Sequence, residues 1–181
     1  MGMDSNHTTM PSSKYQSEGG PAATQVIELL RTYSTRSRED IDTFVDAFIF
    51  NWLIGGTDAH AKNYSILIGT GGQVRLAPLY DVASAYPYPR LDTNKLKLAM
   101  KIGGAYRIRE IDRRRWQVFA REARVDESSL VARAQKMAAA IPGEFAALRE
   151  RAARDGLKHP VLGRLQQALE KQTALRAKSL E

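Results

Sequence analysis

Residues 50–68 read FNWLIGGTDAHAKNYSILI, and the fold turns on how this stretch is parsed. Its opening belongs to a longer helical pattern. Ile41, Phe44, Val45, Phe48, Ile49, Trp52 and Leu53 recur at i, i+3, i+4, i+7, i+8, i+11 and i+12, the period of one wide apolar helix face. A stripe this broad and aromatic predicts a helix central to the core, with Asp40 as its N-cap and Gly55-Gly56 as its end. The close of the stretch, Tyr64 to Ile68, is short and apolar. With Gly69-Thr70-Gly71-Gly72 and then Gln73 to Ala77, it predicts two strands around a Gly-rich turn. A phosphate-cradling glycine loop opens a helix, whereas this one leads into a second strand, which argues against a nucleotide loop. Between helix and hairpin sits a polar loop, Thr57-Asp58-Ala59-His60-Ala61-Lys62-Asn63.

Outward from this centre, residues 1–22 are rich in Ser, Thr, Gly and Pro and read as a flexible loop. A first helix follows from about Ala22, with Val26, Ile27, Leu29, Leu30 and Tyr33 mostly on one face. Beyond the hairpin, Pro78 closes the second strand, and residues 86–110 are irregular apart from an extended piece at Lys97 to Ile102. From Asp112 the chain reads as four helices. The first carries Trp116 and Phe119, the second is capped by Asp126, the third starts at Pro142 and the fourth at Pro160. The expected fold class is mainly α with a small β-hairpin. One lobe spans residues 23–178, with a loop-and-hairpin segment at 55–84 and a helical subdomain at 111–178.

The chain has 181 residues, the size of one domain. Hydrophobic residues make up 43%, too many for general disorder. The absence of cysteine excludes a disulfide scaffold and a thiolate metal site, and three histidines leave little material for structural zinc. No apolar run approaches the ~18–20 residues of a membrane span, and the first thirty residues lack a secretory pattern. The expectation is a cytoplasmic protein with no membrane partner. Its net charge of +7 fits an acidic macromolecule or nucleotide phosphates as partner, but fits better with basic residues dispersed over solvated helix faces. The same two readings apply to the densest positive region, Arg113-Arg114-Arg115 with Arg107, Arg109, Arg121 and Arg124.

Asp58, then Asn63 five positions later, then a two-stranded ribbon, then Asp81 in Leu79-Tyr80-Asp81-Val82, follows the order of protein-kinase catalytic segments. The residue types suit the chemistry. Moving a γ-phosphoryl group to a hydroxyl needs a carboxylate to orient the nucleophile and take its proton. It also needs hard oxygen ligands for Mg²⁺, which a second Asp and an Asn amide can supply. Lys62 adds positive charge where phosphates would lie. Each residue taken alone also fits a local role. Asp58 suits a turn, Asn63 and Asp81 suit caps, and His60 and Lys62 suit polar loop positions.

Three runs carry a family resemblance: FNWLIGGTDAHAKNYSILI, RLAPLYDVASAYP at 75–87 and KLKLAMKIGG at 95–104. With the upstream SSKYQSEGGP at 12–21, they resemble the carboxyl-terminal part of the HipA family of serine/threonine kinase toxins. The likeness covers roughly residues 11–104. The later HPVLGRLQQALEKQ, at 159–172, is compatible but less specific. The resemblance implies a protein-kinase-like large lobe (α+β) and an ATP-dependent serine/threonine protein kinase. Carried over residue by residue, Asp58 is the catalytic base, Asn63 and Asp81 hold Mg²⁺, and His60 and Lys62 lie near the ATP phosphates. It further implies a protein substrate and a small helix-turn-helix antitoxin, with DNA engaged only through that antitoxin.

Family members normally carry a long amino-terminal portion that forms the small lobe, with its phosphate-covering loop, nucleotide lysine and adenine hinge. No such sequence precedes the Tyr-…-Gly-Gly-Pro stretch here. The expectation is a large lobe with the small lobe absent or supplied by a separate chain, and therefore inactive alone. The competing expectation is a non-catalytic helical module that docks on an antitoxin repressor or on nucleic acid. Asp58, Asn63 and Asp81 together favour the first, because a docking module has no chemical need for all three.

Overall fold

A computed structural model of the chain describes residues 13–181. Part of the stretch expected to be a flexible loop, residues 1–12, lies outside the described residues. Helix α1 (Ala23–Tyr33) leads through a short turn into α2 (Ser37–Ile54), the central helix of the core. Strands β1 (Ile66–Ile68) and β2 (Val74–Leu76) pair antiparallel, with Ile66 opposite Leu76 and Ile68 opposite Val74. The extended piece at β3 (Lys97–Ile102) pairs antiparallel with a further strand, β4 (Ala105–Arg107). Helices α3 (Arg113–Ala123), α4 (Glu127–Arg154) and α5 (Pro160–Ser179) complete the chain. The mainly helical expectation holds, with two small hairpins where one was expected.

The aromatic stripe of α2 does what its period predicts. Phe44, Phe48 and Trp52 are buried, and Trp52 and Phe48 meet α3 at Trp116 and Phe119 with ring centroids 5.4 and 5.3 Å apart. Offset and edge-on ring pairs of this kind add to the burial of their area. The indole N–H of Trp52 donates to the Ile108 carbonyl (3.3 Å), so its one polar atom is satisfied inside the core. Around α2 pack α1, α4, α5 and β2. Among the described residues no helix is long and apolar enough to cross a membrane.

Two expectations about helix ends are corrected. Helix α2 starts at Ser37, so Asp40 lies in its first turn and is not the N-cap. Its carboxylate instead accepts from the Arg75 guanidinium (2.9 Å), the Leu76 backbone N–H (2.8 Å) and Ser34 Oγ (2.6 Å). Pro142 does not start a helix but lies inside α4, which runs unbroken from Glu127 to Arg154. A proline there removes one backbone bond and crowds the preceding turn. Burial of Ala138 and Ile141 around it and the long packing of α4 on α5 outweigh that cost. The four helices expected after Asp112 are therefore three. Asp126 does cap α4, accepting from the Ser129 N–H at 2.6 Å, and Asp112 caps α3 in the same way, accepting from the Arg115 N–H at 2.9 Å. Pro160 does open α5.

Candidate functional site

The end of α2 aims the polar loop. Gly55 caps the helix in the left-handed region (φ 70°), which glycine adopts without the Cβ penalty of other residues. A Cβ at this position would stand 2.7 Å from the Tyr86 ring. The Ala85 N–H donates to the Gly55 carbonyl (3.0 Å), and Ser84 Oγ donates to the Ile54 carbonyl (2.5 Å). The chain after the β1–β2 hairpin is thus stitched to the point where the loop departs.

Within the loop, His60 N–H donates to the Asp58 carbonyl (2.8 Å) and Asn63 N–H to the His60 carbonyl (3.0 Å). A single 3-10 turn, Ala61–Asn63, then carries the chain into β1. Tyr80 ties the far side of the hairpin across this turn. Its hydroxyl donates to the Lys62 carbonyl (2.8 Å) and accepts from Ser65 Oγ (2.7 Å). Tyr64 packs edge-on against Phe44 with centroids 4.7 Å apart, and burial pushes its phenol up to about 12.

Asn63 and Asp81, 18 residues apart, come into direct contact: the Asn63 amide nitrogen donates to an Asp81 carboxylate oxygen at 2.7 Å. Asp81 holds a left-handed backbone (φ 55°), a conformation that short polar side chains tolerate and that clusters at functional sites. The contact orients the Asn63 amide, because only its nitrogen can face a carboxylate. Its oxygen, Oδ1, is then buried with no protein partner. A buried hard oxygen without a donor, beside an exposed carboxylate, is the donor set that Mg²⁺ prefers. Among the described residues no three His, Asp or Glu side chains cluster to hold a metal by themselves. An ion here would complete its shell from water or phosphate oxygens.

Asp58 sits at the other end of the loop, its side chain half exposed. It accepts from the Tyr15 hydroxyl (2.6 Å) and from Lys14 Nζ (3.2 Å). The Tyr15 hydrogen bond, with Lys14 and His60 adding to it against a burial penalty, holds its carboxyl below the usual range. His60 is buried, with its ring edge-on to Tyr15 (centroids 5.9 Å) and Nδ1 without a partner. The Lys62 side chain is exposed. The loop thus brings Asn63 to Asp81 and places Asp58 and His60 together against Tyr15. Lys14 and Tyr15 were missed as site residues because their partner lies more than 40 positions away. The one signal that could have found them was the Tyr-…-Gly-Gly-Pro stretch itself.

Comparison with known proteins bears on the family and the fold. The "Putative kinase Y4mE" of Sinorhizobium fredii is 46% identical over 115 residues, which cover 64% of this chain and 26% of that protein. A Haemophilus influenzae protein with the same kinase designation is 35% identical over 48 residues, or 26% of this chain and 14% of that protein. The chain thus spans about a quarter or less of the curated relatives it matches. In the complex of the Shewanella oneidensis MR-1 toxin–antitoxin system (HipA, HipB and operator DNA), one solved chain superposes with a TM-score of 0.77. The match covers 89% of this chain and 37% of that one at 19% identity, which is a likeness of fold. The family model described as the HipA-like C-terminal domain matches residues 2–145. With most of its length matched, this chain belongs to the HipA-like C-terminal domain family.

Proposed function

We propose that this chain is the catalytic large lobe of a HipA-type serine/threonine protein kinase, which transfers the γ-phosphoryl group of ATP to a protein hydroxyl. The observation that carries the reading is the Asn63–Asp81 contact, with its orphaned buried oxygen at the mouth of a loop that also presents Asp58. Asn63 Oδ1 and the Asp81 carboxylate would hold Mg²⁺. Bound there, the ion would neutralise charge on the nucleotide phosphates. Asp58 would accept the proton of the acceptor hydroxyl as that oxygen bonds to the γ-phosphorus, while the bond to the β-phosphate oxygen breaks and ADP leaves. His60, buried with Nδ1 unpartnered, suits a phosphate oxygen or its water. Lys62, exposed on the same loop, would add positive charge.

The chain spans 26% of the Sinorhizobium relative and 37% of the solved HipA chain, so the activity of a whole protein is part of this proposal. The remainder would supply the nucleotide lysine and the adenine contacts, and this chain alone should bind Mg-ATP weakly. A HipB-like repressor belongs to the same proposal, with DNA engaged through that partner. The test is phosphotransfer from radiolabelled ATP to a protein acceptor, with the amino-terminal portion of a HipA-like relative fused or supplied in trans. Transfer that depends on Asp58, Asn63 and Asp81 supports the reading. Transfer indifferent to all three, or tight micromolar Mg-ATP binding by this chain alone, overturns it. Titration with Mn²⁺ gives an independent check, because paramagnetic broadening should begin at Asn63 and Asp81.

A further inference from the structure

The SSKYQSEGGP stretch has no part in the transfer chemistry, yet its described residues form a built contact with the loop. The N–H groups of Glu18 and Gly20 both donate to the Tyr15 carbonyl, at 3.0 and 2.9 Å, so the chain from 15 to 20 closes on itself. Gly20 is required there: a Cβ would fall 2.8 Å from the carbonyl oxygens of both Ser13 and Tyr15. Gln16 fastens the turn to β3, its Oε1 accepting the Lys101 N–H at 2.7 Å. Held this way, the turn projects two side chains onto one carboxylate. The Tyr15 hydroxyl donates to Asp58 Oδ1 at 2.6 Å. Lys14 Nζ lies 3.2 Å from the same oxygen and 3.5 Å from Oδ2. The Lys14 ammonium also sits over the Tyr15 ring, 4.7 Å from its centroid, and that ring stands at 75° to the His60 ring.

We propose that this turn is a positioning clamp for Asp58, in which the Tyr15 hydroxyl fixes one carboxylate oxygen and leaves the other for the acceptor hydroxyl. The proposal rests on Asp58 being the base. A half-exposed aspartate alone would sample several rotamers, and a base that must meet a hydroxyl at hydrogen-bond distance loses rate when its orientation is averaged. Oδ1 carries the short bond, and among the described residues Oδ2 has only the long approach of Lys14. Tyr15 is therefore a positioning residue, acting on the reaction through Asp58. Among the described residues, the charged and titratable groups facing this carboxylate are Lys14, Tyr15 and His60. Each favours its ionised form, the form able to accept a proton.

The clamp can be read without enzymatic activity. In the intact chain with ¹³C-labelled aspartate, the Asp58 carboxyl signal is assigned by its loss in Asp58→Asn and followed as pH is lowered. Tyr15→Phe keeps the ring and removes the hydroxyl, so the Asp58 midpoint should rise by roughly 0.5–1 pH unit. Gly20→Ala should reproduce the rise, because it breaks the turn and leaves both donors in the chain. In the phosphotransfer assay, Tyr15→Phe should lower kcat by about tenfold with the KM for ATP unchanged, the signature of an interaction that matters mainly in the transition state. An Asp58 midpoint that ignores Tyr15→Phe and Gly20→Ala overturns the clamp. So does a rate that is unchanged or higher in Tyr15→Phe, which would make Tyr15 a competitor for the acceptor's place. Full activity in Asp58→Asn would instead remove the base assignment, and the titration would still report whether the contact exists.

Discussion

Two aspartates in this molecule are each gripped by a cation and a hydroxyl, and they end in opposite conditions. Asp40 is 3% exposed and accepts from Arg75, Ser34 and the Leu76 N–H, which ties the first turn of α2 to β2. Burial alone would push its carboxyl up. The bonds from Arg75, Ser34 and Leu76 outweigh that and hold it below its usual value. Asp58 has Lys14 and Tyr15 as its partners, but its side chain is 55% exposed. Its carboxyl is also held down, first by the Tyr15 bond. Every strong donor around Asp40 is used to join two elements. Asp58 joins an exposed turn to its loop, and among the described residues its second oxygen meets just the Lys14 ammonium, at 3.5 Å. The lesson is that lowering a carboxylate's pKa does not itself separate a structural acid from a reactive one. The oxygen left without a close donor does.

The comparison is broken most decisively at Asp58. With the rest of the proposed kinase supplied, Asp58→Asn should cut phosphotransfer by about 10²–10⁴-fold, leave nucleotide binding nearly intact and leave the thermal midpoint unmoved. Asp81→Asn should weaken both nucleotide binding and turnover, a difference that appears when titrations are run with and without Mg²⁺. If Asp58→Asn unfolds the chain, or retains full activity, the two aspartates are of one kind and the contrast fails.

Next in size is Asp40→Asn. Losing the ion-paired acceptor of a buried N–H and hydroxyl should cost about 2 kcal/mol of stability, a fall in the thermal midpoint of roughly 4–8 °C for a chain of this length. Acid sharpens the same point. Because Asp40 is depressed in the folded state, its contribution is present above the ordinary carboxylate value and is lost as pH falls through the lower folded value. The stability gap between wild type and Asp40→Asn should therefore be full at neutral pH and close progressively as the pH falls below the ordinary carboxylate value in denaturant titrations. A gap that widens on acidification would reverse the assignment. The smallest effect belongs to Lys14→Met. Exposed ion pairs contribute little, so calorimetry should detect no shift in the thermal midpoint.

The two aspartates also mark what was legible in the sequence. The α2 stripe, the Gly55 end and the β1–β2 hairpin could be read because helix period, cap and turn chemistry act over a few residues. Asp40 looked like an N-cap for the same reason: its type and place fit a local rule, whereas its true partner, Arg75, is supplied by a strand 35 positions later. Pro142 misled in the same way, since a proline at a helix start and one tolerated inside a packed helix look alike without the neighbour, α5. Strand β4 is only three residues long and exists because β3 offers it an edge. In the site, the order Asp58, Asn63, Asp81 could be read, and the direct contact of the last two accords with it. The grip of Tyr15 on Asp58 could not, because no rule of spacing links residues that meet only after α1 and α2 have folded between them.

That separation bears on time as well as on place. The contact spans two whole helices in sequence and rests on half-exposed side chains, the kind of contact expected to open locally without global unfolding. The Gln16 bond makes this opening visible. The Lys101 amide proton is held by the Gln16 side chain from the same turn, so each release of the turn exposes that proton to solvent. The exchange rate of this single hydrogen is therefore a clock for how often the candidate base is let go.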